Sequence, residues 1–196
     1  MFNPIKRLLQ LIPVAEAHCD TADGPAVADG RRALATGNIN HALKWVPAEA
    51  EAELRQVFDR VVRVRALGED AAEVADRLFL ETLVRIHRMA EGVGFTGIQP
   101  PGADVDPVVV AADRALADGD LEPVRALVPA ERVDGLESRF QAARARRGYA
   151  VDDLAAARDF VAAYVSYFKW AEGEDHDHGH HDGPHDHAGH HHDRNA

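Results

Sequence analysis

His18, Cys19 and Asp20 stand together near the start of the chain, directly after Ala15-Glu16-Ala17. Residues 1–17 carry two early cations, Lys6 and Arg7, then the short apolar run LLQLIPVA and an Ala-x-Ala ending. That is the layout of a cleavable leader, and it predicts a cut after Ala17. The alternative for this segment is an uncleaved amphipathic helix packed on the body. A cut would give His18 an α-amine beside its imidazole, while Cys19 contributes a backbone amide and a thiol. Amine, deprotonated amide nitrogen and thiolate can then lie in one plane around a metal, with the imidazole axial. Nickel(II) and copper(II) favour such tetragonal N/S surroundings, whereas zinc(II) favours a tetrahedral set. Asp20 and Asp23 add nearby carboxylates. The bland reading of the same residues is a buried small hydrophobe at Cys19 and a turn over 20–25 that caps the next helix. A cap and a metal hook are compatible, because a cap fixes the hook.

The remaining histidines divide sharply. Nine of the twelve lie beyond residue 175: His176, His178, His180, His181, His185, His187, His190, His191 and His192. Residues 174–196 hold six acids, one arginine and no apolar side chain beyond two alanines. Such a segment buries too little surface to offset its chain entropy and reads as disordered. Imidazoles interleaved with carboxylates suit zinc, nickel and copper, so the tract reads as a metal-buffering tail, with an expression tag as the alternative. It is similar to the His-rich tracts of nickel metallochaperones and zinc transporters.

The elements that must position these groups come from a repeated pattern. Residues 25–65 align on 107–147 at an offset of 82: Pro25, Arg32, Ala33, Leu34 and Gly37 match Pro107, Arg114, Ala115, Leu116 and Gly119. Val46-Pro47-Ala48-Glu49 matches Val128-Pro129-Ala130-Glu131, and at an offset of 81 Arg77, Phe79 and Glu91 match Arg158, Phe160 and Glu172. This predicts two tandem helical units, 25–92 and 107–173, joined by a linker at 93–106. In each, proline opens a short helix and glycine closes it. A second short helix stops before Val-Pro, a long helix starts at Pro47 or Pro129, and another runs over 70–91 or 152–172. Leu54, Val57, Phe58 and Val61 give the i, i+3, i+4 stripe, as do Phe79, Leu80, Leu83, Val84 and His87. No alternating strand run occurs, so the fold class is an all-α helical bundle.

His87 matches Phe168 of the second unit, an apolar core position. It is either a hydrogen-bonded core imidazole or, with Glu91 one turn on, a metal ligand or supporting group facing the hook. His41 reads as surface or cap-adjacent. The largest break in the repeat is His18-Cys19-Asp20, which stands where the second unit has Pro100-Pro101-Gly102.

These residues resemble the nickel superoxide dismutase family, which also begins, after leader removal, with His-Cys-Asp on an all-helical subunit. The resemblance implies His18 and Cys19 as catalytic nickel ligands through amine, imidazole, amide and thiolate, with Asp20 as the third hook residue and Gly24 after the second ligand. Asp23 stands where that family has its second cysteine, and Ala26 where it has a tyrosine. The body, with GNINHALKWV and ETLVRIHRMAEG, is also similar to an uncharacterised bacterial family that places HCDT-x-DGP at its start.

Composition bounds the rest. A chain of 196 residues with 46% hydrophobic content can bury a real core. The net charge of −11 argues against nucleic acid and anionic membrane as partners. One cysteine excludes an internal disulfide, a single-chain iron–sulfur cluster and a four-cysteine zinc site. The expected partners are metal ions, with no membrane span and with a homo-oligomer to cover the hook. The expected location is cytoplasmic with a cleaved leader, or exported to the periplasm. The functions in view are metal-dependent removal of superoxide and metal binding or delivery without turnover.

Overall fold

The computed structural model describes residues 18–102 and 105–173. The leader reading of 1–17 and the metal-buffering tail from 174 onward lie outside the described residues.

Eight α-helices carry the described residues: α1 Pro25–Thr36, α2 Asn40–Leu43, α3 Glu51–Arg65, α4 Glu69–Ala90, α5 Pro107–Asp118, α6 Glu122–Arg125, α7 Val133–Ala145 and α8 Leu154–Glu172. The described residues contain no strand, only an isolated bridge between Thr21 and Gln99. The fold is all-α, as the periodicity predicts, and the same series of elements occurs in each half. Pro25 and Pro107 open α1 and α5, whose missing N–H is no loss in the first turn. Gly37 and Gly119 close them in the left-handed region, at φ 70° and 91°. Pro47 and Pro129 do not begin the long helices directly. Each precedes a three-residue 3-10 turn, Ala48–Ala50 or Ala130–Arg132, before α3 or α7 starts. Tighter i→i+3 bonding at a helix entrance is the usual way to wind in from extended backbone.

Helices α3 and α4 pack as one hairpin and α7 and α8 as another, with α1 laid on α4 and α5 on α8. Apolar side chains from both halves form one contiguous core. Phe58 and Phe79 meet at 5.2 Å between ring centroids in the first half, and Phe140 and Tyr167 at 5.5 Å in the second. The seam between halves is more polar. Arg158 donates to the Leu43 and Val46 carbonyls, each at 3.3 Å, and pairs with Glu51 at 2.6 Å. Lys44 reaches Asp29 at 2.8 Å and the Tyr149 hydroxyl at 2.6 Å. Among the described residues no helix is long and apolar enough to cross a membrane.

Candidate functional site

His18, Cys19 and Asp20 form a single 3-10 turn, and all three are buried. Local chemistry fixes this turn against α1. The Thr21 hydroxyl donates to the His18 carbonyl at 3.2 Å, and the Gly24 N–H donates to the Thr21 carbonyl at 2.9 Å. Glycine is needed at 24 for space: a Cβ there would lie 2.3 Å from the His18 carbonyl oxygen. Arg31 of α1 donates to the Ala22 carbonyl. The predicted linker also grips the turn. Gln99 N–H donates to the Asp20 carbonyl and Ala22 N–H donates to the Gln99 carbonyl, both at 2.9 Å. Phe95 and Ile98 pack on the core, so this segment is a brace and not a slack tether.

The second half supplies the partners of His18. Its Nε2 lies 2.9 Å from Asp113 Oδ2 on α5 and 3.0 Å from the Tyr164 hydroxyl on α8. Tyr164 donates its proton to Asp113 Oδ1 at 2.7 Å. Burial, reinforced by Asp113 and Cys19, pushes the Tyr164 phenol well above its ordinary value, so it keeps that proton. With the phenol proton committed to Asp113, both neighbours of Nε2 are acceptors and Nε2 must carry hydrogen. A neutral His18 therefore presents its lone pair at Nδ1. His18, Asp23 and Asp113 line a cavity of about 380 Å³.

Cys19 sits on the inner side of the turn, 4% exposed. Burial raises its thiol well above the ordinary value, and the carboxylates of Glu91, Asp20 and Asp113 raise it further. Asp20 pairs with Arg88 of α4 at 3.0 Å, and Arg88 continues to Glu91 at 3.3 Å. Arg88 is itself 4% exposed, so this is a buried ion network at the base of the hook.

The remaining expected site residues separate from this cluster. Asp23 is exposed, and its Oδ2 accepts from the Gly102 N–H at 3.2 Å. The Thr21 hydroxyl, its own backbone N–H and the Gly102 N–H hold the Asp23 carboxyl below the usual range. Asp23 thus shares the outer cavity with His18 while being spoken for by the brace. His87 is buried on α4, and its Nδ1 lies 3.0 Å from the Trp45 carbonyl. It faces a different cavity, between the halves, and meets Glu91 at 3.9 Å. Glu91 is the residue common to both neighbourhoods.

Among the described residues, no group of three or more His, Cys, Asp and Glu side chains is gathered to hold a metal ion. The predicted hook uses a different donor set, two side chains together with an amine and an amide of the same two residues. What fits that set is the imidazole. A histidine that gives its far N–H to a carboxylate has its tautomer and ring plane fixed and its other nitrogen made more basic, the usual support of a metal-bound histidine.

Sequence reasoning missed Asp113 and Tyr164. Each carried a signal, as a break in the repeat: Asp113 stands where the first unit has Arg31, and Tyr164 where it has the core residue Leu83.

No curated protein and no solved structure matches this chain. One family model does, over residues 23–170, which takes in α1 to α8 except the last two residues of α8 and begins after the His18–Asp20 turn. The chain therefore belongs to the family of unknown function DUF6448.

Proposed function

We propose that this protein binds a late first-row metal ion, nickel before copper or zinc, at the turn formed by His18 and Cys19, with the terminal His/Asp tract as a reservoir. The observation that carries this reading is the Asp113 carboxylate 2.9 Å from His18 Nε2. It leaves Nδ1 as donor on the same residue whose α-amine a cut after Ala17 would free. Cys19, next in the chain, supplies the thiolate. Asp20, Glu91 and Asp113 disfavour a bare thiolate, and a cation taking the place of the thiol proton turns the same charges from a cost into an attraction. Metal binding here releases a proton and strengthens as pH rises.

Burial of Cys19 and the brace over the turn favour a resident metal over a cargo ion, because ligand exchange with a partner needs open access. For a resident metal we propose removal of superoxide as the reaction. In support, the chain carries the His-Cys-Asp order of the nickel superoxide dismutase hook, and Asp113 and Tyr164 hold the His18 ring at 2.9 and 3.0 Å. The bound metal would supply the electron transfer, while His18 and Cys19 hold it and Asp113 and Tyr164 orient His18.

The test is intact-mass and metal analysis of tail-deleted protein from its native host. The expected result is a chain starting at His18 with one nickel, lost in Cys19→Ser. A chain that keeps residues 1–17, or one that starts at His18 and binds no metal more tightly than Cys19→Ser does, refutes the hook. A loaded protein with no more superoxide removal than free metal refutes the reaction and leaves the binding.

A further inference from the structure

The cavity between the halves, about 480 Å³, belongs to neither the hook nor its brace. It opens between α4 and α8, and its size suits a small organic ligand. Two features of its wall ask for one. The first is His87. The Trp45 carbonyl can only accept, so the 3.0 Å contact places a proton on Nδ1. Burial disfavours the charged ring, which leaves Nε2 as a lone pair. His87 is 5% exposed, and Nε2 has no hydrogen-bond partner among the described residues. Its nearest charged neighbour, Glu91 at 3.9 Å, is another acceptor. A buried acceptor facing an acceptor lacks a donor between them.

The second feature is charge. Four cations line the cavity, Lys44, Arg139, Arg158 and Lys169, against the single carboxylate of Glu91. Lys44 and Arg158 are matched by Asp29 and Glu51. Arg139 has no carboxylate partner among the described residues. It donates to the Gly135 carbonyl at 3.3 Å and lies 3.9 Å over the Trp170 ring. A guanidinium seated over an indole ring still has N–H groups to offer a planar anion. Val161, Ala162 and Val165 of α8 supply an apolar wall between the two polar ends.

We propose that this cavity binds a small hydroxylated carboxylate with a compact apolar body. Its carboxylate meets Arg139, its body lies on the valines of α8, and its hydroxyl donates to His87 Nε2. The inference is independent of the metal reading, since His18 and Cys19 take no part in it.

The experiment titrates the full chain with 4-hydroxybenzoate, benzoate and 4-hydroxybenzyl alcohol by calorimetry. Emission from Trp45 and Trp170 gives a second readout, because they are the chain's two tryptophans and both line the cavity. The expected result is saturable binding of 4-hydroxybenzoate, with each of the other two weaker by about tenfold, the effect of a lost buried hydrogen bond or charge contact. Arg139→Gln weakens 4-hydroxybenzoate by a similar factor, measured at a temperature where the variant is fully folded by its own melting curve. His87→Phe, which installs the ring already present at the equivalent position 168, removes the preference for 4-hydroxybenzoate over benzoate. Should that variant not fold, the hydroxyl preference of the natural chain decides. Absence of saturable binding by all three probes overturns the proposal. So does equal binding of the acid and the alcohol, equal binding with and without the hydroxyl, or indifference to Arg139→Gln.

Discussion

The two halves of this molecule use the same series of helices and are not the same in chemistry. The first half opens on a buried His-Cys-Asp turn, where the second has Pro100-Pro101-Gly102. Arg31 on α1 and Asp113 on α5 stand at matching positions, and both reach that one turn, Arg31 at the Ala22 carbonyl and Asp113 at the His18 ring. Leu83 fills the first core, while its counterpart Tyr164 places a hydroxyl against His18. Phe168 fills the second core, edge-on to His18 at 5.7 Å, while its counterpart His87 lines the cavity between the halves. Where the halves agree they build a scaffold. Where they differ, one half supplies the His-Cys-Asp turn and the other supplies the partners of the His18 ring.

The largest contrast to break lies at Arg88 and its counterpart Lys169. Arg88 is buried between Asp20 and Glu91, so Arg88→Met takes the guanidinium away from the buried Asp20 carboxylate. Removing one member of such a pair costs about 3–5 kcal/mol. Lys169 is only half-buried at the cavity wall, and Lys169→Met is expected to cost under about 1 kcal/mol. Urea unfolding of the two variants measures the difference, and equal losses would mean that the hook has no special electrostatic base.

Glycine positions give the next contrast. A Cβ at Gly135 of α7 would meet Trp170 Cζ2 at 2.4 Å, and one at Gly30 of α1 would meet Leu80 Cδ2 at 2.6 Å. The indole is stiff and pinned, with Arg132 at 4.1 Å and Arg139 at 3.9 Å on its ring and its N–H donated to the Arg132 carbonyl at 3.0 Å. The leucine methyl can turn away. Gly135→Ala is therefore expected to cost about 1–3 kcal/mol, and Gly30→Ala less, since the second half already carries alanine at the matching position 112. Thermal unfolding of both decides.

Much of the scaffold was legible because its signals are local. Pro25 with Gly37, and Pro107 with Gly119, bracket helices whose ends depend on a missing N–H and on a left-handed residue a few positions apart. The stripe from Phe79 to His87 marks the buried face of α4 for the same reason. The helix starts at Pro47 and Pro129 were read four residues early, because a 3-10 turn and an α-turn differ in bonding and not in composition. Half of the site was legible: His18 and Cys19 announce themselves by type and adjacency. Asp113 and Tyr164 do not, since Tyr164 reaches His18 across 146 positions and no local pattern encodes that meeting. The pairing of His87 with Glu91 was visible in the i, i+4 spacing. The direction of that pair was set by packing: Arg88 turns toward Asp20, and His87, one residue earlier on the helix, turns toward Trp45 and the cavity.

Tyr164→Phe sharpens the comparison at the hook. It moves position 164 toward the apolar character of Leu83 while keeping the ring. The expected loss is about 1.5–3 kcal/mol, because the hydroxyl both donates to the Asp113 carboxylate and meets His18 Nε2. Because Asp113 still accepts from Nε2, the His18 tautomer should persist. Asp113→Ala should lose it. Long-range proton–nitrogen spectra of the imidazole read the tautomer directly, and an unchanged Nε2–H in Asp113→Ala would remove the carboxylate from its orienting role.

The smallest effect expected is a pH dependence confined to the first half. Burial holds His87 below its ordinary value, opposed by Glu91 and the Trp45 carbonyl and assisted by Arg88 and Lys169. A base whose folded pKa is depressed contributes fully above the unfolded value, about 6.5, and that contribution is lost as pH falls below it, because the unfolded chain takes up the proton more readily. Between pH 7 and pH 6 the loss is at most about 0.7 kcal/mol, reached if the folded ring stays neutral throughout. His87→Phe should flatten this slope, while Phe168, its counterpart, has no proton to bind and sets no such slope in the second half. Urea midpoints at the two pH values measure it. A slope unchanged by His87→Phe would place the titration elsewhere and would mean that Glu91 already shares a proton with His87 in the folded protein.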